Sequence, residues 1–143
     1  VANAILDGDE VRQFFDHDLG YSREERMANI KRIQFAAHVL SQNNIVTIVC
    51  NICPFQTLRD FSRAKLHDYH EIHLHKNLER SARSDVKSVY KQHQGKTEIV
   101  GVNIPFDEPV SCDLRIDVDL LTVDQSLEKI NQYLRSKHPS WPL

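Results

Sequence analysis

Ile45-Val46-Thr47-Ile48-Val49-Cys50-Asn51-Ile52 is a short, nearly continuous apolar run rich in β-branched residues. Such a run suits a strand buried on both faces, the signature of a parallel sheet. The flanking segments have the helical period. Ser22-Arg23-Glu24-Glu25 has the form of a capping box. Met27, Ile30, Ile33, Ala37 and Leu40 follow at three- and four-residue steps, predicting one buried stripe that ends in the polar turn Gln42-Asn43-Asn44. Pro54 stops the apolar run, and Phe55 to Leu66 reads as a further helix. Glu71 to His75 and the alternation of Leu114, Ile116 and Val118 predict two more strands. Between them the sequence suggests a helix from about Asn77 to Arg83, then lysine-bearing loops from Ser84 to Pro109. Thr122-Val123-Asp124-Gln125 is a second capping box, and Val123, Leu127, Ile130 and Leu134 make the stripe of a closing helix, expected to be core. Strands alternating with helices mean an α/β domain with a mainly parallel sheet. The start breaks the pattern: Val1-Ala2-Asn3-Ala4-Ile5 reads as the middle of an amphipathic helix, running into a loop-like Leu6-Asp7-Gly8-Asp9.

A chain of 143 residues fits a single domain over 1–143, large enough to build a conventional core. Eighteen Lys+Arg against 20 Asp+Glu give a net charge of −2, which argues against nucleic acid as a partner, because neutralising phosphates requires a basic surplus. The 41% hydrophobic and 27% charged fractions exclude disordered and collagenous classes. No apolar run approaches the roughly 18–20 residues of a membrane helix, and no signal peptide opens the chain, so no membrane partner is expected. Three cysteines (Cys50, Cys53 and Cys112) cannot complete a disulfide framework, and the expected compartment is the cytoplasm.

Several constellations could carry chemistry. Asp7-Gly8-Asp9 places two carboxylates where open α/β sheets bind ligands. There they could hold Mg²⁺ through water or accept a proton from an attacking hydroxyl, the alternative being a plain turn. Arg12, Arg26, Arg32, Arg59 and Lys87 match phosphate or sulfate oxygens, or else an ordinary solvated surface. Cys50 and Cys53 have a C-x-x-C spacing, but residues three apart on a strand face opposite sides, which favours buried free thiols over a zinc or redox pair. Asp68, His70, His73 and His75 could bind a metal, or be surface and satisfied core groups. Gly95-Lys96-Thr97 ends like a phosphate-binding loop, yet Tyr90 occupies the earlier glycine position and no strand precedes it. The 143 residues therefore contain no Walker-type phosphate cradle.

Taken in order, these fragments resemble the adenylylsulfate kinase (APS kinase) family of P-loop kinases, over Val1 to about Leu134. Leu6-Asp7-Gly8-Asp9-Glu10-Val11-Arg12 is similar to the family's LDGDxxR, Asp18-Leu19-Gly20-Tyr21-Ser22 to DLGFS, and Arg26 with Asn29-Ile30 and Arg32 to RxxNIRR. Ile52-Cys53-Pro54-Phe55 resembles ISPF/Y, Arg59-Asp60 the following RD, and Lys87-Ser88-Val89-Tyr90 resembles KGLY. Gly101 to Pro109 resembles G-I-D-x-P-Y-E-x-P.

The resemblance implies a three-layer P-loop kinase-like domain, its mainly parallel sheet flanked by helices. It implies transfer of the ATP γ-phosphate to the 3′-hydroxyl of adenosine 5′-phosphosulfate, with Mg²⁺, ATP as co-substrate and a homodimer. Asp7 and Asp9 would be the catalytic pair, Asp7 serving Mg²⁺, possibly through water. Arg12, Arg26 and Asn29 would bind the phosphosulfate and nucleotide. Tyr21 takes the place of the phenylalanine that stacks on adenine, Ile52 lies in the substrate-binding motif, and Lys87 matches the lid lysine. Cys53 stands at the family serine, Ser88 at the glycine of KGLY, and Ile99 or Val100 at the second adenine-stacking aromatic. That last change leaves open a paralogous kinase for another acceptor nucleotide, such as a cytidine diphosphate derivative. In the family a helix of the form [IV]ANAL follows the P-loop. By that resemblance Val1 is expected to follow directly on the P-loop, with a segment omitted between Ile5 and Leu6; a non-catalytic binding domain without a P-loop is the third reading.

Overall fold

The computed structural model describes residues 1–77, 100–101 and 104–141. The expected helix from Asn77 to Arg83 falls outside this range beyond its first residue, as do Lys87, Ser88 and Ile99. The chain divides into two compact units. One contains residues 1–69 and the described part of 97–108; the other contains residues 70–77 and 109–141.

In the first unit, β1 (Asn3–Asp7) leads directly into α1 (Gly8–Phe14), followed by α2 (Arg23–Gln42), β2 (Val46–Cys50) and α3 (Gln56–Lys65). β1 and β2 pair in parallel, in a register running from Asn3 opposite Val46 to Asp7 opposite Cys50. The amino-terminal residues are thus strand where the sequence suggested helix, and Leu6 to Asp9 is a strand–helix junction where it suggested a loop. A five-residue helical pattern cannot repay nucleation, whereas Ala4-Ile5-Leu6 gains a ladder against β2.

The Ser22 capping box forms as expected: Ser22 Oγ accepts from Glu25 N at 3.3 Å, and the Glu25 carboxylate accepts from Ser22 N at 3.1 Å. The stripe of α2 buries Ile30, Ile33 and Ala37. Ile30 joins Phe55, Leu58 and Ile104 in a core cluster with Met27, Cys53 and Val100 at its margin. Gln34, itself buried, locks α2 to α3 by donating from Nε2 to Leu58 O at 2.7 Å and to Ser62 Oγ at 2.8 Å. The polar turn after α2 closes with Asn44 at φ 58°, a left-handed conformation that asparagine tolerates.

Two expectations about β2 are corrected. Ile48 and Val49 are 50% and 41% exposed, so the strand is not buried on both faces, and Cys50 is exposed. Among the described residues β2 pairs only with β1, and a strand with one neighbour keeps part of its surface open to solvent.

In the second unit, β3 (Ile72–His75) and β4 (Leu114–Asp117) pair in parallel, and α4 (Val123–Lys137) follows behind the Thr122 capping box. Ile116 is fully buried. His70 Nδ1 lies 2.8 Å from Tyr133 Oη and His70 Nε2 lies 3.0 Å from His138 Nε2, fastening the approach to β3 against the end of α4. The stripe of α4 is only half used: Ile130 and Leu134 are half-buried, but Val123 and Leu127 are 83% and 53% exposed, against the expectation of core. Four-residue strands span about 13 Å, and a fifteen-residue helix about 22 Å, so β3 and β4 cannot cover its whole length.

Ile33→Ala should therefore lower the unfolding free energy by about 2–4 kcal/mol, because Ile33 is 2% exposed, whereas Leu127→Ala should change it by no more than about 0.5 kcal/mol. Urea unfolding of both variants checks this, and equal losses would contradict the described packing of α4.

Candidate active site

Asp7 closes β1 and caps α1. Its Oδ1 accepts from Asp9 N at 2.8 Å and Glu10 N at 3.3 Å, satisfying two donors of the first turn. Asp9 and Glu10 then sit where the helix dipole favours negative charge. Gly8, between the two aspartates, is where the chain passes close to the loop after β2: a Cβ there would lie 3.1 Å from Asn51 Cβ. A side chain at that position would push the loop away from the carboxylates.

The Leu19–Ser22 turn is held from two sides. Arg12 of α1, 7% exposed, donates from Nη1 to Leu19 O at 3.1 Å and Gly20 O at 2.8 Å. Its guanidinium stacks over the Tyr21 ring at 4.5 Å, while Arg26 approaches that ring at 5.1 Å and donates from Nε to Tyr21 O at 2.8 Å. Tyr21 itself is 45% exposed, an aromatic ring steadied by cations yet open to a ligand. On the next turn of α2, Asn29 is buried and its Oδ1 has no hydrogen-bond partner among the described residues. A buried acceptor left open beside a cavity suits a ligand donor.

These groups surround a cavity of about 250 Å³ at the carboxyl ends of the two parallel strands. Asp7, Asp9, Arg12, Arg26 and Asn29 line it from β1, α1 and α2, Tyr21 from the turn before α2, and Ile52 from the exit of β2. Cys53 does not line it; it packs against the core cluster of Ile30, Phe55 and Leu58. Lys87 and Ile99 lie outside the described residues. The sequence reading did not single out Cys50 and Asn51 as cavity residues, although both contribute to the wall. Their signal is positional: Cys50 is the register partner of Asp7, so the residues just after it share the strand end with the carboxylates.

The pair Asp7 and Asp9 fits Mg²⁺. Two hard oxygen donors face one cavity, and with Asp7 Oδ1 already accepting two N–H groups, a metal held partly through water suits the site.

Charge also organises the surroundings. Arg32 donates to Asp18 at 2.8 and 2.7 Å in a bidentate pair and lies over Phe15 at 4.1 Å. The hydrogen bond from Arg32, reinforced by its charge, holds the Asp18 carboxyl below its ordinary range. Glu25 is likewise lowered, first by the Ser22 hydroxyl and then by the backbone N–H groups of Gly20 and Ser22.

A model of the adenylylsulphate kinase family matches residues 1–117. The chain belongs to that family. It is 36% identical over 134 residues to an adenylyl-sulfate kinase of Halothermothrix orenii, covering 92% of this chain and 72% of that protein. It is 34% identical to an adenylyl-sulfate kinase of Picosynechococcus, covering 91% of this chain and 75% of the relative. Among solved structures, the Mycobacterium tuberculosis APS kinase CysC in complex with AMPPNP and APS superposes with a TM-score of 0.83 at 26% identity, over 94% of this chain and 80% of that one. The fold is therefore the α/β P-loop kinase fold of the APS kinases, as the resemblance implied. No helix among the described residues is long and apolar enough to cross a membrane.

Because Asp18 and Glu25 have folded-state pKa values below their unfolded ones, their stabilisation is complete above the ordinary carboxylate range and is lost as pH falls through the lowered values. Urea midpoints should hold steady above about pH 5 and drop below about pH 4, with a shallower drop in Asp18→Asn and Glu25→Gln. An unchanged acid limb in both variants would contradict these assignments.

Proposed function

We propose that this APS kinase family member binds adenosine 5′-phosphosulfate in the Asp7–Asn29 cavity and directs its 3′-hydroxyl to the γ-phosphate of ATP, giving 3′-phosphoadenylylsulfate and ADP. The observation that carries the reading is the convergence of two carboxylates, two arginines, an exposed aromatic ring and an open buried acceptor on one cavity of a family member.

Phosphoryl transfer asks little covalent chemistry of the protein; positioning and charge complementarity dominate. The 3′-oxygen attacks the γ-phosphorus, the bond to the β–γ bridging oxygen breaks, and the hydroxyl proton passes to a carboxylate, which we assign to Asp9 at the start of α1. Asp7, held by Asp9 N and Glu10 N, keeps the carboxylate pair in a fixed relation and would hold Mg²⁺. That ion would supply charge neutralisation on the phosphates. Tyr21 offers its ring to the adenine and Asn29 Oδ1 accepts from the nucleotide. Arg26 meets the phosphosulfate, and Arg12, bound to Leu19 O and Gly20 O, keeps Tyr21 in place. Cys53 would serve through the shape of its loop, Lys87 as a further cation at the phosphosulfate, and Ile99 as part of the adenine wall. The glycine-rich ATP cradle is not among the 143 residues, so the roles assigned here belong to the acceptor side of the reaction. Cytoplasmic sulfate assimilation and a homodimer belong to the same proposal.

Calorimetric titration with adenylylsulfate tests acceptor binding without any need for ATP, and ADP release with Mg-ATP, from a protein that carries this chain together with the ATP cradle, tests turnover. Asp9→Asn should abolish ADP release with little change in melting temperature. Arg26→Ala should weaken adenylylsulfate by about tenfold, the size expected from one lost charge-assisted contact, while leaving the KM for ATP unchanged. Failure to bind adenylylsulfate, or a preference for a cytidine diphosphate analogue in competition, would overturn the reading.

A further inference from the structure

The loop after β2 contributes Asn51 and Ile52 to the cavity, and its other end is held by Arg59 and Asp107. Arg59 of α3 is 4% exposed. Its Nη1 donates to Cys53 O at 2.6 Å, and its Nη2 donates to Gln56 Oε1 at 2.6 Å and to Asp107 O. Asp107 answers from 51 residues away: its Oδ2 accepts from Gln56 N at 2.9 Å, and its own N–H donates to Pro54 O at 2.8 Å. Phe55, the N-cap residue of α3, supplies no side-chain cap, so Asp107 does the capping from a distant part of the chain. Its negative charge at a helix N-terminus is favourable.

We propose that Arg59 and Asp107 are positioning residues for the acceptor, a clamp that sets where Asn51 and Ile52 stand against the bound nucleotide. The inference rests on the acceptor reading above. Burial of a guanidinium costs free energy, and packing alone is served as well by an apolar side chain of similar size. What the cation adds is direction: the fork joins Cys53 O and Asp107 O, two carbonyls that no local turn would bring together. Through Pro54 O and Gln56 N, Asp107 then holds the same loop from its other side. Gly8 lies against this loop at Asn51, so a shift of the loop is felt at the Asp7–Asp9 junction as well. Asp107 is exposed, and replacing it leaves no hole in the core.

The test uses Asp107→Ala and Asp107→Glu in the full chain, with Arg59→Lys as a second probe of the fork. Two readouts are taken. The first is the alkylation rate of Cys53 by iodoacetamide, with Cys112, which belongs to the other unit, as the internal reference. The second is affinity for adenylylsulfate, beside the KM for ATP measured on a protein that carries this chain together with the ATP cradle. The expected result for Asp107→Ala is faster alkylation at Cys53 with Cys112 unchanged. Adenylylsulfate should bind about tenfold more weakly, the scale of a small misplacement, with the KM for ATP held. Asp107→Glu, which keeps the carboxylate, should restore much of both; Arg59→Lys, which loses the fork, should behave like Asp107→Ala. Wild-type Cys53 reactivity and acceptor affinity in Asp107→Ala would overturn the clamp. So would parallel losses toward ATP and adenylylsulfate, which mark a general loss of structure. If the wild-type protein does not bind adenylylsulfate at all, the acceptor reading fails, while the thiol rates still decide whether Asp107 holds the loop.

Discussion

The parallel pairing of β1 with β2 is the constraint on which the site depends. Because both strands point the same way and Asp7 stands opposite Cys50, the two chain exits lie side by side at one edge of the unit. One exit enters α1 and brings two carboxylates; the other turns through Asn51 and Ile52 toward α3. Antiparallel pairing would have sent these exits to opposite ends. Open α/β sheets bind ligands at such carboxyl ends, where helix N-termini and short loops converge. Gly8 eases the close approach there, since a Cβ would crowd Asn51 and require the loop to give by a few tenths of an ångström.

A second theme is the use of arginine in place of apolar packing around the cavity. Arg12 and Arg59 are both almost fully buried, and both donate to backbone carbonyls across chain separations that local turns do not bridge. Arg12 fixes the turn that carries Tyr21; Arg59 fixes the loop that carries Ile52. Arg32 with Asp18 adds a bidentate pair outside the cavity. The rigid five-donor fork suits this task better than lysine, because one side chain can hold two acceptors at a set angle. The cavity is thus shaped by cations that serve the backbone, and Arg26 packs against Tyr21.

The elements with a local cause were legible in the sequence. Both capping boxes form as written, the α2 stripe is buried through Ile30, Ile33 and Ala37, and the apolar run after Asn44 is a parallel strand. The caps rest on interactions within a few residues, and the stripe and the apolar run carry a period and composition that specify the element before its partner is known. The ordered motifs also singled out Asp7, Asp9, Arg12, Tyr21, Arg26, Asn29 and Ile52, which share the cavity. The start of the chain and the exposure of α4 were misread for one reason. Whether Val1–Ile5 is helix or strand depends on a partner some 40 residues away, and whether Val123 and Leu127 are core depends on what lies across from them.

The sequence by itself determined which segments are helix and strand wherever the pattern is longer than a turn or two. It also determined the family, because motif order survives without coordinates. Tertiary structure alone decided that Ile5 and Leu6 continue a strand into Asp7, that Cys50 is exposed while Cys53 turns to the core, and that Asp107 caps a helix begun 51 residues earlier. The physical reason is the same in each case. Strand pairing, burial and long-range capping are properties of two segments at once, and a linear pattern specifies only one.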